Sequence, residues 1–152
     1  MKNFTSRLTL LFLLLTTPVL GRVSDYSSSK GHVSKDEAIL ALETITSQMF
    51  QGNLTHASEV FAQDGNVVLY EKNGNSGVKF KGKVKCLDYL VGLRQQRQLP
   101  KFHVVKSQFD GSSWKLYGTA FYLATPQVEL DFEATVTAEN GPRIKQLIMR
   151  RH

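Results

Sequence analysis

The sequence predicts an α+β domain in which helices come first and an antiparallel sheet follows. Three observations carry that reading. An amphipathic stretch opens at a serine cap near Ser34, a second helical stretch spans Val84 to Leu93, and four alternating runs follow from Phe102. From Ser34 the order is helix, tight break, helix, strand, glycine-rich turn, short strand, long helix, and then strands to the end.

Ser34 is followed three residues later by Glu37, the spacing at which hydroxyl and carboxylate cap each other's backbone N–H. Ala38, Ile39, Leu42, Ile45, Met49 and Phe50 then recur at helical spacing and predict one buried stripe. Gly52 ends that helix. Asn53 caps a shorter one carrying Leu54, Ala57, Val60 and Phe61, which Asp64-Gly65 breaks. Residues Asn66 to Glu71 read as a strand, Lys72 to Gly77 as a turn with two glycines and two asparagines, and Val78 to Lys81 as the returning arm. Gly82 leads into a helix to about Gln98, with Val84, Cys86, Leu87, Leu90 and Leu93 on its inner side.

Phe102–Phe109, Trp114–Leu123, Val128–Ala138 and Ile144–Met149 are the four later strands. The run around Phe132 is the clearest. Val128, Leu130, Phe132, Ala134, Val136 and Ala138 alternate with Glu129, Asp131, Glu133, Thr135 and Thr137. A period of two places one set in a core and the other in water or against a polar partner.

Phe50-Gln51-Gly52-Asn53-Leu54, followed by Val60-Phe61-Ala62-Gln63-Asp64-Gly65, resembles the nuclear transport factor 2-like superfamily. Phe80-Lys81-Gly82 before a helix with Leu90 and Leu93 is similar to its glycine-then-helix element, and the likeness extends from Ser34 to about Arg151. The resemblance implies a cystatin-like cone: a curved sheet wrapped around about three helices, enclosing an apolar pocket. It also implies a homodimer joined through the outer sheet face.

Met1–Arg7 is short and basic, Leu8–Leu15 is almost wholly apolar, and Val19-Leu20-Gly21 offers a cleavage site. A membrane span needs about 20 apolar residues, whereas this run is stopped by Thr16, Thr17 and Pro18. Residues 1–21 are therefore expected to be a signal peptide, 22–33 a polar leader and 34–152 the domain, secreted and without a transmembrane segment. Removing Lys2 and Arg7 leaves 17 basic residues against 13 acidic, a net +4.

Cys86 is the only cysteine, which excludes an intramolecular disulfide and reads as a small buried side chain. His32, His56, His103 and His152 are scattered, so neither a metal nor a cofactor is expected. Asn53-Leu54-Thr55 is a glycosylation sequon, as is Asn3-Phe4-Thr5 within the expected signal peptide. Lys79, Lys81, Lys83 and Lys85 open a basic run that reads as a solvated surface or as a contact for an anionic partner. Without interleaved aromatics in a secreted chain, nucleic acid is not the expected partner.

Ketosteroid isomerases of this superfamily use a tyrosine, an aspartate base and a protonated aspartic acid. Carried over by the matched segments, those positions fall on Ile45, Leu69 and Ala134, none of which moves a proton. A dehydratase would need an inward histidine and aspartate, for which His103 and Asp131 are the available pair, with Asp131 on the polar face of its strand. Tyr70, Tyr117 and Tyr122 are candidate pocket hydroxyls or, alternatively, core and interface residues. The resulting expectation is a non-catalytic domain. It would bind a small apolar ligand against Ile45, Met49, Leu69, Phe132 and Ala134, a protein partner through its sheet, or both. The alternative is an isomerase, dehydratase or cyclase with a relocated acid-base residue.

Overall fold

The computed structural model describes residues 31–71 and 77–152. The expected signal peptide, residues 22–30 of the leader, Asn3 and the turn residues 72–76 lie outside the described residues.

α1 (Lys35–Phe50) starts at the predicted box: the Glu37 N–H donates to the Ser34 hydroxyl at 3.2 Å, and the Ser34 N–H donates to the Glu37 carboxylate at 2.7 Å. Its buried stripe is Ala38, Ala41, Leu42, Ile45 and Met49. Phe50, predicted on that stripe, is 79% exposed. Met49 continues the i, i+3, i+4, i+7 row from Leu42 and Ile45, which turns the next residue about 100° away. Gly52 follows at φ +81°, the left-handed position that favours glycine. The Arg94 guanidinium donates to its carbonyl at 2.7 Å, tying the end of α1 to α3. α2 (Leu54–Glu59) is capped by Asn53, whose Oδ1 accepts from the His56 N–H at 3.2 Å. Val33, assigned to the leader by composition, is buried, and its carbonyl accepts from the Trp114 indole at 2.8 Å.

β1 (Phe61–Tyr70) begins five residues earlier than expected. Asp64-Gly65 does break the helical pattern, but as a bulge inside a strand. Pairing with β6 jumps from Phe61↔Ile144 to Asn66↔Gln146. A Cβ on Gly65 would stand 2.8 Å from the Ile144 carbonyl oxygen, and Asp64 accepts from Lys145 at 2.6 Å. β2 (Gly77–Lys81) pairs antiparallel with β1. α3 (Lys83–Gln95) buries Cys86, Tyr89, Leu90 and Leu93. Val84, expected inside, is 70% exposed. It lies two residues before Cys86, about 200° around the helix, whereas Tyr89 is spaced i+3 from Cys86 and falls on the buried row.

β3 (Pro100–Phe109), β4 (Ser113–Tyr122), β5 (Thr125–Ala138) and β6 (Pro142–Arg151) complete one unclosed sheet of order β2-β1-β6-β5-β4-β3. It is antiparallel except where β1 meets β6. On β5, Leu130, Phe132, Ala134 and Val136 are buried against the helices, while Glu129 and Asp131 are exposed on the convex side.

Register shifts in β1, β3 and β6 curve this sheet, because an extra residue on one strand bends it and raises its twist. The β3 shift, between Val104 and Lys106, lies beside Gly118 of β4. A Cβ on Gly118 would collide with the His103 carbonyl oxygen. Gly118→Ala is therefore expected to destabilise the fold by about 3 kcal/mol. Gly92→Ala, in a helix with nothing within 4 Å of the new methyl, should stabilise by about 0.5–1 kcal/mol. Thermal unfolding followed by circular dichroism separates the two signs.

The β3–β4 hairpin is organised by Asp110. Its carboxylate accepts from the N–H and hydroxyl of Ser112, both at 3.0 Å, and from the N–H and hydroxyl of Ser113, both at 2.8 Å. The Ser112 N–H first, then the Ser113 hydroxyl, hold this carboxyl well below the usual carboxylate range. A folded pKa below the unfolded one contributes stability that is fully present above about pH 4 and fades as pH falls toward the folded value. Asp110→Ala should lower the melting temperature at pH 6 and flatten its decline between pH 5 and pH 2.

Candidate functional site

The helices fill the cone unevenly. α1 packs against β3 and β6, and its Ile45 and Met49 join Phe132, Ala134 and Leu116 in continuous core. Beyond the reach of α1, α3 packs against β1 and β2 and faces the ends of β4, β5 and β6 across open space. A hollow of about 580 Å³ remains there, within the range that holds a drug-sized ligand.

Its floor is built by strand parity and one helix row. Leu69 and Met149 are register partners on β1 and β6, Leu130 stands on β5, and Phe80 and Leu93 come from β2 and α3. Two hydroxyls enter this apolar wall. Tyr89, buried on α3, donates to the Met149 Sδ at 3.4 Å and packs a tilted ring against Phe80 at 5.4 Å. Tyr122, at the inward-facing end of β4, is its neighbour. Burial pushes the Tyr89 hydroxyl well above its ordinary value, and the facing Tyr122 adds to the shift. Burial also raises Tyr122, while the neighbouring Tyr89 pulls the other way. Both phenols are neutral donors at physiological pH.

Charge is confined to the mouth, where Glu71, Asp88 and Arg151 meet solvent. The Glu71–Arg151 pair is long at 4.0 Å and exposed on both sides, so it contributes little.

Of the residues singled out from sequence, Leu69 lines the hollow, and Tyr70 and Tyr122 border it. Ile45, Met49, Phe132 and Ala134 do not; they are 1%, 3%, 2% and 0% exposed within the packed end of the cone. Ile45 and Met49 face inward from α1, and Phe132 and Ala134 from β5, but they pack on one another in the core, with the Phe102 ring edge-on to Phe132 at 5.3 Å. His103 and Asp131 are exposed on the convex face and are not brought together. Both pair with Thr119, one from each side, so β4 separates them by two strand spacings, about 10 Å. Asp131 bonds His152 instead, at 2.8 Å. Tyr117 lies on the same outer face, under the Lys106 ammonium at 5.9 Å.

Asn53 is half-buried at the α2 cap, its side-chain amide against the His56 ring. Lys79 and Lys81 are exposed on edge strand β2, and Lys83 and Lys85 sit in the first turn of α3, where Lys85 bonds Asp88 at 2.9 Å. Cys86 is fully buried, with its thiol pushed up to about 11 by desolvation and directed at the Gly65 carbonyl at 3.6 Å. Among the described residues no group of three or more His, Cys, Asp or Glu is placed to hold a metal ion, and no helix is long and apolar enough to cross a membrane. Tyr89 escaped the sequence reading. Its spacing from Cys86 and Leu93 was the available signal, overlooked because a tyrosine was not counted among the apolar residues.

No family model and no curated protein sequence matches the chain. Solved structures do. A domain of unknown function with a cystatin-like fold from Nostoc punctiforme aligns with a TM-score of 0.60 at 12% identity, covering 80% of each chain. Two NTF-2 like proteins of unknown function both align with a TM-score of 0.57. The one from Silicibacter pomeroyi is 16% identical over 79% of this chain and 100% of its own, and the one from Shewanella oneidensis 13% over 76% and 97%. At such identities the likeness establishes the fold: the chain is a cystatin-like, nuclear transport factor 2-like cone.

Proposed function

We propose that this chain, folded as a nuclear transport factor 2-like cone, binds a small apolar ligand in the hollow between α3 and the sheet, and does so as a secreted protein. The observation that carries the reading is the hollow's composition: an apolar floor with two neutral phenols and with charged groups only at its mouth. Burying roughly 200 Å² of ligand surface there yields about 5 kcal/mol before the cost of association. Binding is favoured over turnover because a general base must stand within about 3 Å of the proton it takes. Among the described residues, the carboxylates nearest the floor, Glu71 and Asp88, are solvated at the rim. Secretion rests on the basic start and apolar run of residues 1–21, and Asn53 is the glycan acceptor this location makes available.

Gly92 provides the test. It borders the hollow, and a side chain built on it meets nothing within 4 Å. Gly92→Trp should fold normally and abolish binding of phenylnaphthylamine, whose fluorescence rises in apolar sites. Organic extraction of protein from a secretory host should recover a ligand from the parent chain and none from this variant. Equal dye binding by both would remove the hollow from consideration.

A second reading is supported by the convex face. Glu129, Asp131 and Glu133 form an acidic stripe on β5, with Lys106 and Lys115 on one side and Arg150, Lys79 and Lys81 on the other. Such a pattern is complementary to itself under two-fold rotation. Light scattering should give a dimer mass that Glu133→Lys converts to monomer. A monomer in the parent chain at any concentration removes this reading.

A further inference from the structure

We infer that one rim of the cone, where Arg94, Arg97 and Lys101 surround Phe50, Leu99 and Leu123, docks on an anionic lipid surface. This rim lies outside the hollow, so its contact is independent of the ligand proposed there.

Three segments meet at the rim. The Leu123 N–H donates to the Leu99 carbonyl at 3.0 Å, and the Thr46 hydroxyl of α1 donates to the adjoining Pro100 carbonyl. Arg94 reaches the turn after α1 through the Gly52 carbonyl, and the Arg97 N–H donates to the Arg94 carbonyl at 2.9 Å. A groove between α1 and β3 is lined by Phe50, Leu99, Lys101, Phe102 and Leu123. Phe50 is 79% exposed and Leu123 46%. Exposed apolar residues scattered singly are ordinary, whereas several gathered around one groove mark a contact surface.

Charge identifies the partner. Residues 44–58, 89–109 and 111–128, which build the rim, contain no aspartate or glutamate. Arg94, Arg97 and Lys101 are exposed, and among the described residues none of them lies within 4.0 Å of a carboxylate. Glu43, about two helical turns before Phe50, is the acid that lines the groove. Apolar side chains that enter the acyl boundary, with cations around them at headgroup depth, supply both components of peripheral membrane binding. A lipid surface suits this rim better than an acidic protein, because Phe50 projects into solvent and a fluid bilayer needs no matching shape. Asn53 does not obstruct the contact. Its amide is against the His56 ring, which borders Thr44 and Gln48, and Gln48 is about 200° around α1 from Phe50. Gln96, Gln98, Tyr122 and Thr125 line the hollow, so the docked rim would also set its edge beside the bilayer.

Flotation with vesicles tests the contact. The parent chain should bind phosphatidylcholine mixed with phosphatidylserine at least about tenfold better than phosphatidylcholine alone, and salt should release it. Arg97→Gln should weaken binding about fivefold and Phe50→Ser about tenfold. Lys35→Gln, at the other end of α1 about 20 Å away, should change it less than about twofold. Phe50→Trp should be quenched by lipids brominated on their acyl chains, beyond any quenching of Trp114 in the parent chain. Absence of binding to either vesicle, or equal losses from Arg97→Gln and Lys35→Gln, overturns the inference and leaves the hollow standing. A dimer formed without lipid that Phe50→Ser dissociates assigns the rim to a second copy and overturns it as well.

Discussion

Curvature is the constraint on which the rest of the structure depends. Six strands with side chains alternating across two faces would form a nearly open sheet with one layer of helices above it. Here β1, β3 and β6 each carry a register shift, and β3 approaches β4 so closely that only glycine fits at position 118. Backbone oxygen stands where a Cβ would be. The sheet therefore turns over the helices and encloses a volume wider than the helices fill. Without that bend there is no cone, and the tyrosines of α3 and β4 would not meet.

The volume is then divided by two helices with different roles. α1 is anchored at both ends, by its capping box and by the Arg94 bond to Gly52, and Thr46 donates to the Pro100 carbonyl at 2.5 Å. It plugs one end of the cone with Ile45 and Met49. α3 lies over the other end with glycine at position 92, and this smaller cross-section leaves the hollow open. An interior packed to normal density excludes ligand; the same fold underpacked at one end admits it. Polar chemistry follows the same division, with charges at the rim and on the convex face and two neutral phenols at depth.

Legibility followed the range of the forces involved. The Ser34–Glu37 box, the left-handed Gly52, the Asn53 cap and the alternation on β5 are set by residues within a few positions of one another, and all were readable. Phe50, one position past Met49, and Val84, two before Cys86, were misplaced because an apolar residue off the buried row is covered only if a neighbouring element reaches it. The start of β1 was hidden because Asp64-Gly65 looks the same before a strand as within a bulge. Only Lys145 and the Ile144 carbonyl, some eighty residues away, distinguish the two cases.

From its sequence alone this protein is determined to be an α+β domain with a helix-facing apolar set on β5. The tertiary structure alone decided which apolar residues line empty space. Ala134 and Leu69 are equally inward by period, yet α1 fills the space before one and leaves it open before the other. It also decided that His103 and Asp131 stand apart and that Tyr89 meets Tyr122. Depth and proximity depend on how far the sheet bends and where two helices cross it, and no local pattern of residues encodes either.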